Sequence, residues 1–253
     1  MRVRAILLVL FLPVFAFAGS IENTQELELP VKDIRSIHII CGPGFLNVFG
    51  VESGDRIKVR ATVKISGITQ NMLEDFLDKH VLLSLKKRHR KAVLQSEFKN
   101  ENLMKADGKI DLSVEVPKSL NVKIDDGSGT IFATALARNL EIEDGSGSIE
   151  IRMMTGRVSI SDGSGTIEVT DITGNLEVKD GSGRIDIGGV KGNVRIVDGS
   201  GSMTVTDIDG NLTVTDGSGS IEICDVTQNV FIEEAGSGKL EIEGVKGKVI
   251  TRE

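Results

Sequence analysis

The sequence predicts an all-β protein, a parallel β-solenoid (β-helix) of 18-residue coils with two short strands each, with one short helix inserted in its N-terminal part. Three observations carry that reading. Six copies of Asp-Gly-Ser-Gly begin at Asp126, Asp144, Asp162, Asp180, Asp198 and Asp216, each 18 residues after the last, and a worn seventh follows one residue late at Gly236-Ser237-Gly238. Each unit splits into two nine-residue halves, as in GSGTIEVTD and ITGNLEVKD from Gly163 to Asp180. Within each half, apolar and polar residues alternate with period two, which is strand patterning. A strict period over half a chain means units that cannot bury their apolar faces alone and must stack on one another. Parallel crossovers are right-handed almost without exception, so a right-handed coil is expected.

In chain order, residues 1–18 come first. Arg2 and Arg4 precede an apolar run from Ala5 to Phe17, and Ala16-Phe17-Ala18 stands before Gly19. This is the pattern of a secretory signal peptide with a small-x-small cleavage site. Export to the periplasm, the cell surface or the medium is therefore expected, and no cysteine follows at the place a lipoprotein would need one. No second long apolar stretch appears, so no membrane helix is expected after signal removal.

Residues 19–120 form a less regular, strand-rich part. Runs from Ile34 to Ile40, Phe45 to Phe49 and Ile57 to Val63 are separated by the turn sequences Gly42-Pro43-Gly44 and Glu52-Ser53-Gly54-Asp55. They read as worn coils that cap the solenoid. Thr69 followed by apolar Met72, Leu73, Phe76 and Leu77 predicts a short amphipathic helix near 70–79, with Thr69 as its N-cap. Next comes the one concentrated charge of the chain: Lys86, Lys87, Arg88, Arg90 and Lys91, around His89. This basic run is a candidate contact for an anionic surface such as lipopolysaccharide, a phosphorylated glycan or acidic lipid. The competing reading is a solvated hairpin.

Residues 121–253 hold seven regular repeats. Counting from the glycine after each aspartate, the fifth position runs Ile131, Ile149, Ile167, Ile185, Met203 and Ile221, and the fourteenth runs Leu140, Val158, Leu176, Val194, Leu212 and Val230. A tenth-position column, Leu136, Met154, Ile172, Val190, Ile208 and Val226, falls in one corner and should plug the core there. The glycines supply positive φ at the corners. The aspartates are expected to close Asx turns with the next amides, and Asn175, Asn193, Asn211 and Asn229 form an amide column at the opposite corner.

The aspartates are also the candidate metal ligands, since Asp126, Asp144, Asp162, Asp180, Asp198 and Asp216 stack hard oxygens of the kind calcium takes. Laid against the calcium-binding nonapeptide Gly-Gly-x-Gly-x-Asp-x-apolar-x, however, Ile167 stands where the liganding aspartate should be, and Ile149, Ile185 and Ile221 repeat the replacement. A calcium site of that type is excluded, and only a different arrangement would remain. No other cofactor and no catalytic residue is predicted. A carbohydrate-active β-helix would need clustered acids beside stacking aromatics, and this chain has no Trp, no Tyr and regularly repeating acids. Cys41 and Cys224 are the only cysteines, and their pairing is open. The net charge of −7, more negative still once Arg2 and Arg4 leave with the signal, argues against nucleic acid as a partner.

The signal peptide, the irregular start, the passage Val114-Glu115-Val116-Pro117 leading to Leu120-Asn121-Val122, and the Asp-Gly-Ser-Gly strands together resemble the bacterial putative-adhesin family of β-strand repeat proteins. That family has no defined function and is akin to the head domain assigned to autotransporter adhesins. The resemblance implies a non-enzymatic exported scaffold or adhesin acting through surface contacts, with a cell-surface glycan, an envelope component or a protein as partner. It carries no site residue over. An autotransporter would continue into a membrane barrel, whereas the sequence stops at Glu253, directly after the last repeat. A monomer or weak dimer is expected.

Overall fold

Alternation in the sequence becomes two facing sheets. The computed structural model describes residues 20–52, 54–99 and 108–252, so the expected signal peptide lies outside the described residues. The N-terminal part contains β1 (Ser20–Pro30), β2 (Ser36–Cys41), β3 (Phe45–Val51), β4 (Arg56–Ser66), α1 (Leu73–His80), β5 (Val81–Arg88), β6 (Lys91–Phe98) and β7 (Gly108–Pro117). The repeats begin with β8 (Asn121–Asp126) and β9 (Gly129–Thr134), and strands then alternate between the sheets as far as Val249–Thr251. Among the described residues each sheet has eleven strands, and pairing between successive repeats is parallel and in register. Ile149, Ile167 and Ile185 lie side by side in one sheet, and Val158, Leu176 and Val194 in the other. All are buried between the sheets, and this is the core. The fold class is the β-solenoid the period predicts.

One glycine column shows how tightly the coils stack. Gly165 and Gly183 have φ of +144° and +145°, and a Cβ on Gly183 would come within 1.9 Å of the Gly165 carbonyl oxygen. Only glycine fits there, for both reasons. The tenth-position column, expected in a corner, is carried from Met154 to Val226 by the strand itself, beyond a backbone kink. The residue before it takes left-handed backbone in coil after coil, as at Met153 (φ 53°), Asp171 (58°), Asp207 (55°) and Asp225 (57°). That left-handed residue, present in each coil, resets the alternation, so Val169 and Ile172, three apart, both face inward.

The N-terminal part departs from a simple run of worn coils. The outermost parallel coil is β6 and β7, although β2 and β3 precede it in sequence. β2 lies between β6 and β8, and β3 lies between β7 and β9. The second-made coil is thus stacked outside the first. The run from Ile57 to Val63, expected as another coil, belongs instead to β4, which pairs antiparallel with β7 and with β1. Together with β5, antiparallel to β6, these strands close the end of the stack. The helix forms where predicted, after a 3-10 turn at Gln70–Met72. The Thr69 hydroxyl donates to the Asn71 side chain and caps no backbone amide. Leu73 is buried, Phe76 and Leu77 pack partly on the core, and Met72 turns outward to 53 % exposure, contrary to the predicted face. At the other end, the last strands leave Val249 and Ile250 exposed.

Candidate functional site

The basic run forms the tip of the β5–β6 hairpin. Arg88 faces Lys91 across a two-residue turn, with His89 in left-handed backbone (φ 56°). Every residue from 86 to 91 is exposed. Lys87 Nζ donates to the Lys32 carbonyl at 2.6 Å and stands 3.9 Å from Asp33. Lys86, Arg88, Arg90 and Lys91 meet no carboxylate among the described residues. The interleaved coils bring in two cations that lie far from the run in sequence. Lys32 lies beside the hairpin, and the Arg35 amide donates to the Arg90 carbonyl at 2.8 Å. The run is therefore a solvent-exposed hairpin, with Lys32 and Arg35 held against it through their backbones.

The stacking continues along the same corner. The Asn121 amide donates to the Arg35 carbonyl, the Val122 amide to Asn139, the Leu140 amide to Arg157 and the Val158 amide to Asn175. Asn121, Asn139, Arg157, Asn175, Asn193, Asn211 and Asn229 thus climb the rod one coil at a time, while Arg90, Arg35 and Arg138 share the neighbouring register position, one residue earlier, with Leu120 between Arg35 and Arg138. The amide column expected at this corner is present and hydrogen-bonded. Asn121, Asn139, Asn175, Asn193 and Asn211 each turn Oδ1 to the backbone amide of the next coil's corner, at 3.0 to 3.2 Å. Beyond Arg157 the corner borders a groove of about 500 Å³, lined among others by Asn175, Asn193, Arg195 and Phe231. Two acids reach the arginines there: Glu177 lies 3.7 Å from Arg157, and Glu233 lies 3.2 Å from Arg195.

The six aspartates occupy a place the sequence reading missed. Each ends a strand of the second sheet at an inward position, after Leu140 and Ile142 in the case of Asp144, and none is more than 9 % exposed. They stack in register from Asp126 to Asp216. The Asx turn appears at Asp162, whose Oδ1 accepts the Ser164 amide at 3.3 Å, and at Asp198, which accepts Ser200 at 3.2 Å. Both carboxyl oxygens of Asp144, Asp180 and Asp216 are buried without a hydrogen-bond partner. Burial pushes every one of these carboxyls above the usual range: Asp126 and Asp180 to about 6, and Asp144 to about 7 with help from Asp126 and Asp162. The signal for this was legible, since each aspartate is two residues beyond an inward isoleucine or valine. Among the described residues no group of three or more His, Cys, Asp or Glu is arranged to hold a metal ion.

Toward the N-terminus the same inward column continues as Cys41 and then Ser96. Burial first, then Asp126, drives the Cys41 thiol upward, and both cysteines are free. His38, which showed no partner spacing in the sequence, lies 2.6 Å from Asp125 on the outer face of the second sheet. Lys123 beside it holds Glu141 at 2.9 Å and Glu143 at 2.7 Å, and those acids raise its pKa.

Coil, kink and interleaved cap define a parallel β-solenoid with a polar inner column and a cationic corner. Solved structures of similar fold include a protein described as a putative adhesin from Bacteroides fragilis, at 13 % identity and a TM-score of 0.44, covering 90 % of this chain and 97 % of that one. Another, described as a putative adhesin from Parabacteroides merdae, has 16 % identity and a TM-score of 0.42, covering 91 % and 96 %. A third, described as a putative lipid binding protein from Parabacteroides distasonis, has 16 % identity and a TM-score of 0.47, covering 90 % and 94 %. No family model matches the sequence, and no curated protein does. No helix among the described residues is long and apolar enough to cross a membrane.

Proposed function

We infer that this chain is a non-enzymatic exported β-solenoid that works by surface contact, as an adhesin or envelope scaffold, with the basic hairpin tip touching an anionic component of the cell envelope. The observation that carries this reading is the tip itself. In a chain of net charge −7, Lys86, Arg88, Arg90 and Lys91 project together into solvent without a carboxylate partner. On the repeat faces several outward cations are matched by acids, as at Arg152 with Glu168 and Arg184 with Asp186. Unmatched cations gathered at one end raise the local concentration of anionic partners and steer their approach. Export rests on the pattern of residues 1–18.

The test uses the protein lacking residues 1–18, incubated with whole cells, lipopolysaccharide and peptidoglycan. Replacing Lys86, Arg88, Arg90 and Lys91 together by glutamine should lower retention at least about tenfold at low salt and leave the thermal melt unchanged. Equal retention of the two proteins on every surface would overturn the role of the tip.

A further inference from the structure

The corner that climbs from the hairpin tip has a chemistry of its own. Its cations come from four separate stretches of sequence: Arg90, Arg35 and Arg138 share one register position, which Arg35 reaches because β2 is stacked between β6 and β8, and Arg157 lies one position over in the asparagine column. Arg90, Arg35 and Arg138 have no carboxylate partner among the described residues. Beyond them the asparagines present one kind of group outward. Their Oδ1 atoms are occupied by backbone amides of the next coil, while the Nδ2 groups of Asn121, Asn139, Asn175 and Asn193 donate to nothing among the described residues. An amide with its acceptor used and its donors open is a half-filled site for an oxygen-rich ligand. The strip is thus a band of guanidinium and amide donors running parallel to the rod axis. At about 4.8 Å per coil it is roughly 40 Å long from Arg90 to Asn229. It runs into the groove of about 500 Å³ beside Arg157 and Arg195, where Phe231 offers an apolar surface. Glu177 and Glu233 offset the two groove arginines, so the net positive charge is concentrated toward the tip.

We propose that this corner binds an acidic linear polysaccharide, laid along the rod with its carboxylates on Arg90, Arg35 and Arg138 and its hydroxyl and ring oxygens on the open asparagine amides. This rests on the surface-contact reading and extends it from the tip to a track. Two features favour a polymer over a single small anion. The donors repeat at every coil, and they run along one corner in two adjacent columns. Sugar oxygens, more than phosphate alone, suit a track in which neutral amides outnumber cations at the far end.

The experiment is calorimetric titration of the protein lacking residues 1–18 with di-, tetra- and octagalacturonate, and with neutral maltooligosaccharides of the same lengths. The expected result is that affinity for the acidic series rises with length and that the neutral series binds at least about tenfold more weakly. Two variants separate the track from the tip. Arg138→Glu lies two coils beyond Arg35 and has no partner to lose. The double variant Asn175→Asp with Asn193→Asp keeps the oxygen that accepts from the next coil while removing the outward donors. Each should weaken octagalacturonate about tenfold with an unchanged melt and leave digalacturonate nearly unaffected. Absence of acidic-oligomer binding, equal binding of neutral oligomers, absence of length dependence, or unaltered octagalacturonate binding by both variants would each overturn the track. The tip could still retain cells after any of these results, so the failure of the track and the failure of the surface-contact reading are distinguishable.

Discussion

Ionising the inner aspartate column costs the fold stability, and Asp144 is where that cost is largest. Its carboxyl is buried, both oxygens lack a partner, and Asp126 and Asp162 flank it in register one coil away on either side. Desolvation is the larger cause of the rise from 3.8 to about 7, and the charges of Asp126 and Asp162, about 4.8 Å away on either side, add to it. A tenfold change in proton affinity corresponds to about 1.36 kcal/mol, so ionised Asp144 destabilises the folded chain by about 4 kcal/mol relative to its protonated form. The titratable groups that act on the column are acids and a thiol: Cys41 at one end, Glu234 at the other, and the aspartates themselves. No cation is among them.

The direction with pH follows from the raised values. The folded chain holds protons that the unfolded chain has already released, so the stabilisation is complete below about pH 4 and is lost as pH rises through 6 and 7. The perturbation is Asp144→Asn, which keeps the shape and removes the charge. At pH 8 the variant should melt above the parent by about 8–16 °C, at about 2–4 °C per kcal/mol for a chain of this size. At pH 4.5 the gap should shrink to about 1 kcal/mol, or about 2–4 °C. Asp207→Asn, at the exposed kink, is the control and should shift neither melt. The assay is a thermal melt by circular dichroism across pH 4.5–8.5, repeated with calcium and with chelator. A parent melt that is flat from pH 5 to 8, or a variant that melts below the parent at pH 8, would refute the argument. A calcium-induced rise of comparable size would mean that cations, and not protons, neutralise the column.

Two further predictions test the stacking. Gly183→Ala should lose at least about 3 kcal/mol in urea, because its Cβ meets the Gly165 carbonyl and its φ is left-handed, whereas Gly127→Ala, with nothing within 4 Å, should be nearly neutral; equal midpoints would refute the close-approach reading. Cys41 should resist a thiol reagent at pH 8 until the chain is unfolded, since its thiol is buried against Asp126; mass spectrometry finding a Cys41–Cys224 crosslink in the native protein would contradict the free-thiol structure.

Much of the fold was readable because one kind of residue does one job at one position. Glycine at Gly165 and Gly183, and β-branched residues at Ile167, Ile185 and Val169, leave only a stacked coil that can satisfy all of them. The interleaved cap was not readable, because strand order depends on tertiary pairing, and β2 carries nothing in its own sequence that selects β6 and β8 as neighbours. The same is true of the cationic corner. Arg35 and Arg138 are isolated charges in the sequence and become part of a line only once the stacking order is known. The run from residue 86 to 91 was visible because it is local.

The aspartates illustrate a different limit. Asp before Gly-Ser-Gly is good turn chemistry, and that explanation was sufficient without asking which way the side chain points. Period two answers the question: Leu176, Val178 and Asp180 share a face, so the turn residue is also a core residue. A buried acid in each of six coils is tolerable only if the column can stay partly protonated, and its ends support this. At the N-terminal end the column passes to Cys41 and Ser96, neither of them an acid. At the other end the register slips by one residue after Val214, which moves Glu234 out of line and places Ala235 next in the column. The slip that first looked like decay of the seventh repeat thereby ends the acid column with a residue that cannot ionise. The charge is confined to the middle of the rod, where each aspartate has a neighbour with which a proton can be shared.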